Sequence, residues 1–172
     1  ARIRRGERPI GEVLDSHTDI QKVHGTGVFL FKDLGMAPPA LVNNLNHNKV
    51  LHRTTLIVSV ETGDEPRIDP AERAEVTKVE PGVFQVRLQY GFMEDPDVPA
   101  ALQALEVRGL TYDPDDVTYF IGRESVVAGK APGMNPLLEH LFVWLNRGAD
   151  SAVRFFNLPD AQVFEVGSRV EI

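Results

Sequence analysis

Residues 28–60 read VFLFKDLGMAPPALVNNLNHNKVLHRTTLIVSV, and the fold turns on this stretch. It begins with a compact apolar run, Val28-Phe29-Leu30-Phe31, flanked by Gly25, Gly27 and Gly35. Such a run between turn-forming residues predicts a buried strand. Pro38-Pro39 then opens a helix, because proline in the first turn gives up an N–H that has no intrahelical partner there. Leu41, Val42 and Leu45 mark its inner face. Leu56 to Val60 is a second apolar run. Strand, helix, strand over this length predicts a right-handed parallel crossover.

Beyond residue 60 the periodicity changes. Phe84, Val86, Leu88 and Tyr90 alternate with Gln85, Arg87 and Gln89, the pattern of a strand with one wet face. The Pro81-Gly82 turn pairs it with residues 74–79 in a hairpin. Asp97 is placed to cap a helix carrying Ala101, Leu102 and Leu105, and Gly109 to end it. Val117 to Ile121 predicts the next strand. Asn135-Pro136 starts an amphipathic helix through Leu137, Leu138, Leu141, Phe142 and Leu145. A shorter helix follows, with Asp150 as cap and Val153 and Phe156 inward. Gln162 to Ile172 predicts a closing strand interrupted at Gly167. Upstream, Ile10, Val13 and Leu14 have the spacing of a short helix. The expectation is one α/β domain over residues 25–172, with about six strands in a mixed sheet flanked by helices. A linker, residues 1–24, precedes it.

The 172 residues are enough for a single hydrophobic core. There are no cysteines, which excludes disulfides, thiolate metal sites and cysteine nucleophiles. The net charge of −7 argues against a nucleic-acid partner, since binding to nucleic acid rests on neutralising phosphates. The charge is unevenly spread. Arg2, Arg4, Arg5 and Arg8 face only Glu7 within the first eight residues. A basic tract of this kind is a solvated terminus or the cytoplasmic flank of a membrane span. No stretch approaches the roughly 20 apolar residues that cross a bilayer, and no signal-peptide pattern is present. The chain opens on Ala1 and not on Met, as expected of a processed or excised product.

Candidate chemistry is sparse. Gly25-Thr26-Gly27 lacks the third glycine of a dinucleotide fingerprint and precedes a strand, so a tight strand entry is the better reading. His47 and His52 have no familiar zinc spacing and no neighbouring carboxylate, which leaves no metal site. Asn, Lys and His side chains around them are suited to closing a helix end. Asp113, Asp115 and Asp116 flank Pro114 and read as a turn, since the remaining ligands of a calcium loop are missing. Ligands of open α/β sheets gather beyond the carboxyl ends of the strands. There Lys32 to Met36, Gly91 to Pro96 and Gly122 to Glu124 are expected to share a rim. Arg123, Glu124, Gly122, Tyr90 and Gly91 are its candidate ligand-binding residues, with the arginine holding a phosphate or carboxylate; the alternative, a structural pairing of Arg123 and Glu124 with other side chains, is the commoner role for such residues. His47, Asn48, His52 and Trp144 are candidates for structural or interface roles. No nucleophile elbow or Ser–His–Asp arrangement can be nominated, and an enzyme is not expected.

Five segments, in order, resemble the soluble tail of KUP-family potassium transporters. They are Gly25 to Leu30; Pro38 to Leu41 running into Asn44-Leu45 and His47 to His52; Tyr90 to Glu94 followed by Pro96 to Pro99; Tyr119 to Glu124; and Phe155-Phe156 through Leu158-Pro159 to Val163, Glu165, Gly167 and Val170-Glu171-Ile172. Asn43 and Asn46 depart from the pattern by making the helix before His47 unusually rich in amides. Val143-Trp144 replaces a variable segment. The resemblance implies a proton-coupled potassium importer of a bacterial inner membrane, with about twelve membrane helices followed by this cytosolic tail. It implies as partner the chain's own membrane portion and supplies no ion site here, because such sites lie near the bilayer midplane. Some related importers resemble receptors for cyclic di-AMP. The expectation is therefore a regulatory, dimerising domain with no cofactor, and with cyclic di-AMP or an adenine nucleotide as candidate ligand. The alternative is an assembly domain with no small-molecule ligand.

Overall fold

The computed structural model describes residues 8–122 and 149–167. Within them, β1 (Gln21–Leu30), β2 (Val50–Thr62), β3 (Ala74–Glu80), β4 (Val83–Tyr90), β5 (Val117–Gly122) and β6 (Val163–Val166) form one sheet in the order β3-β4-β2-β1-β5-β6. The helices are α1 (Ile10–Asp15), α2 (Pro39–Asn43), α3 (Val98–Gln103) and α4 (Ala149–Phe155). The expected mixed α/β sheet is the one observed. β1, β2, β4, β5 and β6 are parallel, and β3 joins β4 antiparallel through the Pro81-Gly82 turn.

The two apolar runs behave as residues 28–60 require. β1 lies between β2 and β5, with Leu30 opposite both Val58 and Ile121. Val28, Phe29, Leu56, Ile57 and Val58 are completely buried. Alternate residues serve opposite faces. Val28, Leu30, Leu56 and Val58 pack with Val98 and Leu102 of α3 and Val153 of α4. Phe29 and Ile57 pack with Val13 of α1 and Leu41 of α2. A parallel strand covered on both faces needs apolar residues without alternation, hence the unbroken runs. Asp97 caps α3 as expected, its carboxylate accepting from the Ala100 N–H at 2.9 Å.

Several boundaries differ from expectation. Residues 9–24, assigned above to a linker, are folded into the domain. Ile10, Val13 and Leu14 are buried, and β1 starts at Gln21. Gly25-Thr26-Gly27 lies inside β1, where the register with β2 shifts between Val23 and Thr26. The strand therefore passes through a bulge where a preceding turn was expected. α3 stops at Gln103, short of Gly109, and Leu105, Val107 and Leu110 pack against the core beyond the helix. Asp150, expected as a cap, lies within α4. β6 ends at Val166 among the described residues. The helix expected over residues 135–145, Trp144 within it, and Arg123 and Glu124 lie outside the described residues.

Candidate functional site

At the carboxyl end of β4, Tyr90 and Gly91 open a loop whose polar groups bond mainly to one another, with the Arg73 Nε buried and unpartnered among the described residues. The Tyr90 hydroxyl donates to the Asp97 carbonyl at 2.8 Å and accepts from the Asp97 N–H at 3.2 Å. Its ring is 1% exposed, and the Arg73 guanidinium sits 4.4 Å from the ring centroid. The Glu94 carboxylate accepts from the N–H groups of Gly91 (2.7 Å) and Ile68 (3.1 Å) and from Arg73 (2.5 Å). The Gly91 N–H, with the further donors Ile68 N–H and Arg73, holds the carboxyl below the usual carboxylate range against the opposing effect of desolvation. Gly91 has no alternative residue, since a Cβ there would lie 2.3 Å from the Pro66 carbonyl oxygen. The loop thus binds itself.

The expected rim is stepped. Tyr90 is opposite Thr62, whereas Leu30 is opposite Val58 and Ile121 is opposite Leu30. Four residues of strand make that step about 13 Å, and three strand spacings separate β4 from β5 by about 14 Å. Gly91 and Gly122 therefore do not meet in one site.

A different concavity lies on the α2 face, between α2 and the β5–β6 edge. It encloses about 450 Å³, within the ordinary range for small-molecule sites. Asn43, Asn44, His47 and Asn48 line one side, and Phe120 and Phe164 the other. The amides arrive there because α2, five residues long, widens into a π turn over Asn44–Asn48 and ends at Lys49 in the left-handed region (φ 55°). Asn44 closes this turn by donating to the Val50 carbonyl (3.1 Å) and accepting from Asn48 (2.8 Å). The expected closure of a helix end by side chains thus falls to the asparagines. Asn43 is half-buried and its side chain makes no hydrogen bond among the described residues, and His47 is exposed. Opposite them, Phe120 stacks on Phe29 at 4.4 Å and meets Phe164 edge-on at 5.7 Å, leaving Phe164 55% exposed.

His52 is a strand residue, the third of β2, and so is not at the helix end. Its ring packs edge-on against Phe120, and its Nδ1 is buried without a hydrogen-bond partner among the described residues. Gly27 makes room for it, since a Cβ at Gly27 would come within 2.7 Å of that nitrogen. Burial lowers the His52 pKa, and the nearby Asp116 opposes the shift. Of the residues singled out in the sequence, His47 and Asn48 share the cavity, while Tyr90 and Gly91 belong to the self-bound loop. Asn43, Phe120 and Phe164 were missed as cavity residues. The density of asparagines after α2 was the available signal for the first. The pairing of β6 with β5, which supplies both rings, had none.

Residues 24–172 match the family model described as the K+ potassium transporter C-terminal domain. The chain is 40% identical to a protein of Azoarcus named as a probable potassium transport system protein Kup, over 99% of this chain and 27% of that protein. It is 43% identical to the protein of that name in Pseudomonas putida, over 88% of this chain and 24% of the relative. For a second Kup protein of Dechloromonas aromatica the values are 35%, 95% and 26%. No solved structure matches the chain. The chain spans about a quarter of the length of the curated relatives it matches. Among the described residues no helix is long and apolar enough to cross a membrane. With a family model covering most of its length, the chain belongs to the C-terminal domain family of Kup potassium transporters.

Proposed function

We propose that this domain regulates and assembles a proton-coupled potassium uptake transporter from the cytoplasmic face of a bacterial inner membrane, without catalysing a reaction. Its partners are the transporter's own membrane portion and a second copy of itself. Its ligand is a small nucleotide, cyclic di-AMP or a simpler adenine nucleotide. The observation that carries this reading is the cavity beside α2, whose lining includes the half-buried amide of Asn43 and the exposed aromatic ring of Phe164. Nucleotide sites need that combination, since a base offers a π face and a hydrogen-bonding edge. Arg123 and Glu124 follow directly on β5, the strand that supplies Phe120, and Arg123 is the candidate for a phosphate. A ligand of this kind acts on transport only through unequal affinity for two states of the transporter.

A thermal-shift titration with cyclic di-AMP, cyclic di-GMP, ATP, ADP and AMP tests the reading. A ligand at ~100 times its Kd adds about 2.7 kcal/mol to stability. A selective rise in melting temperature is expected, and no rise with any of them at millimolar concentration overturns sensing. The second reading, assembly by contact alone, is favoured by Phe92 and Met93. These are 40% and 65% exposed on the otherwise self-bound loop. Small-angle scattering across a concentration series tests it: a dimer is expected, and a concentration-independent monomer overturns self-assembly.

A further inference from the structure

We infer that the loop after β4 docks the domain, through Phe92 and Met93, on a basic cytoplasmic loop of the transporter's own membrane portion. The inference deepens the proposed partnership with the membrane portion and rests on it, naming the surface that makes the contact. Phe92 and Met93 are two of the three large hydrophobic residues exposed among the described residues, and they are adjacent. Their backbone is fixed. The Phe92 N–H donates to the Glu65 carbonyl (2.9 Å), the Met93 N–H to the Pro66 carbonyl (3.0 Å) and the Glu94 N–H to the Gly91 carbonyl (3.1 Å). A tip held in this way loses little freedom on docking. Because the loop closes its hydrogen bonds internally, what it leaves exposed is apolar and charged side chains, which suit a protein surface better than a small polar ligand.

Position and charge select the partner. In a transporter, a C-terminal domain is joined to the rest through its amino-terminal residues. Here these reach the sheet at its carboxyl rim. The Ala37 N–H donates to the Arg8 carbonyl (2.9 Å) and Pro9 bridges Met36, in the segment just beyond β1. β1 and β4 are both parallel to β2, so the loop at 91–95 lies at that same end. The step of about 13 Å carries it past the ends of β1 and β5. Within 64–67 and 92–95, Asp64, Glu65 and Asp95 are exposed carboxylates, and Arg67 is the one exposed base. Cytoplasmic loops of membrane proteins carry an excess of Lys and Arg, the complement of this surface. An anionic lipid leaflet repels it. A second copy set face to face opposes carboxylate to carboxylate.

The test is photocrosslinking in the full-length transporter, with benzoylphenylalanine replacing Met93, Thr77 or Phe164 in separate proteins. All three are exposed, so the probe costs the fold little. A crosslink from position 93 to a Lys- or Arg-bearing loop of the membrane portion is expected. Asp64→Lys combined with Glu65→Lys should lower its yield about tenfold, since like charges then face each other. Crosslinks from position 93 to lipid or to a second copy alone overturn the inference, as does a yield indifferent to the charge reversal. Should position 77 or 164 reach the membrane portion while position 93 does not, this docking surface is overturned and the partnership stands. No crosslink to the membrane portion from any of the three overturns both.

Discussion

The loop after β4 and the cavity beside α2 are both built from polar residues next to aromatic ones, and they treat those residues in opposite ways. In the loop, Glu94 gathers Gly91, Ile68 and Arg73, while Tyr90 exchanges two hydrogen bonds with Asp97. In the cavity, Asn43 is unengaged among the described residues and Phe164 is open. Tyr90 to Glu94 is one of the five segments that carry the family resemblance, yet there the chemistry is consumed in holding the chain. A recurring segment rich in Gly, aromatic and acidic residues can thus be a folding device, and binding capacity is better sought where polar groups remain unspent.

The largest effect should come from breaking the loop at its tightest point. Gly91→Ala puts a Cβ within 2.3 Å of the Pro66 oxygen and 2.5 Å of the Arg67 Cα, all backbone with no rotamer to yield. A loss of about 3 kcal/mol is expected in chemical denaturation. An unchanged midpoint would mean that the loop is slack and the contrast with the cavity is overdrawn. Glu94→Gln should come next. It leaves the part-buried Arg73 without its carboxylate and presents an N–H2 group to one of the donors, at about 2 kcal/mol.

The same carboxylate sets part of the acid limb. Its folded pKa is depressed, so its stabilisation is complete well above the unfolded value of about 4.3 and is lost as pH falls through the folded value. His52 acts earlier. Its folded pKa is lowered by burial, so the unfolded chain takes up the proton first, and stability declines as pH falls below about 6.5 toward the folded value. Melting temperature against pH should therefore fall in two stages. His52→Phe should flatten the first stage and Glu94→Gln the second. A single stage that neither substitution alters would remove both groups from the account.

Much of this was legible beforehand. Unbroken apolar runs at 28–31 and 56–60 implied strands covered on both faces, and alternation over 84–90 implied the half-wet strand of a hairpin. Those patterns follow from burial, which acts residue by residue along the chain. The bulge within β1 and the early end of α3 were not legible. Each lies against a partner distant in sequence: Gly25, at φ 91° in the bulge, against Asp116, and Leu105 and Val107 against the core beneath. The cavity was half legible. The asparagines after α2 stood out, but nothing local to residue 164 announces that Phe164 lies beside Phe120, because that neighbourhood is made by the pairing of β6 with β5.

The smallest expected change in stability sharpens the comparison most. Asn43→Leu and Asn44→Leu are chemically identical substitutions one residue apart. Asn44 is 7% exposed and bridges Val50 to Asn48, so losing it strands a buried carbonyl and should cost about 1–3 kcal/mol. Asn43 bridges nothing among the described residues, so exchanging its half-buried amide for an apolar side chain should leave stability unchanged or slightly raised. If instead Asn43→Leu destabilises the chain as much as Asn44→Leu, the amide is part of the turn. The cavity would then be as self-bound as the loop after β4.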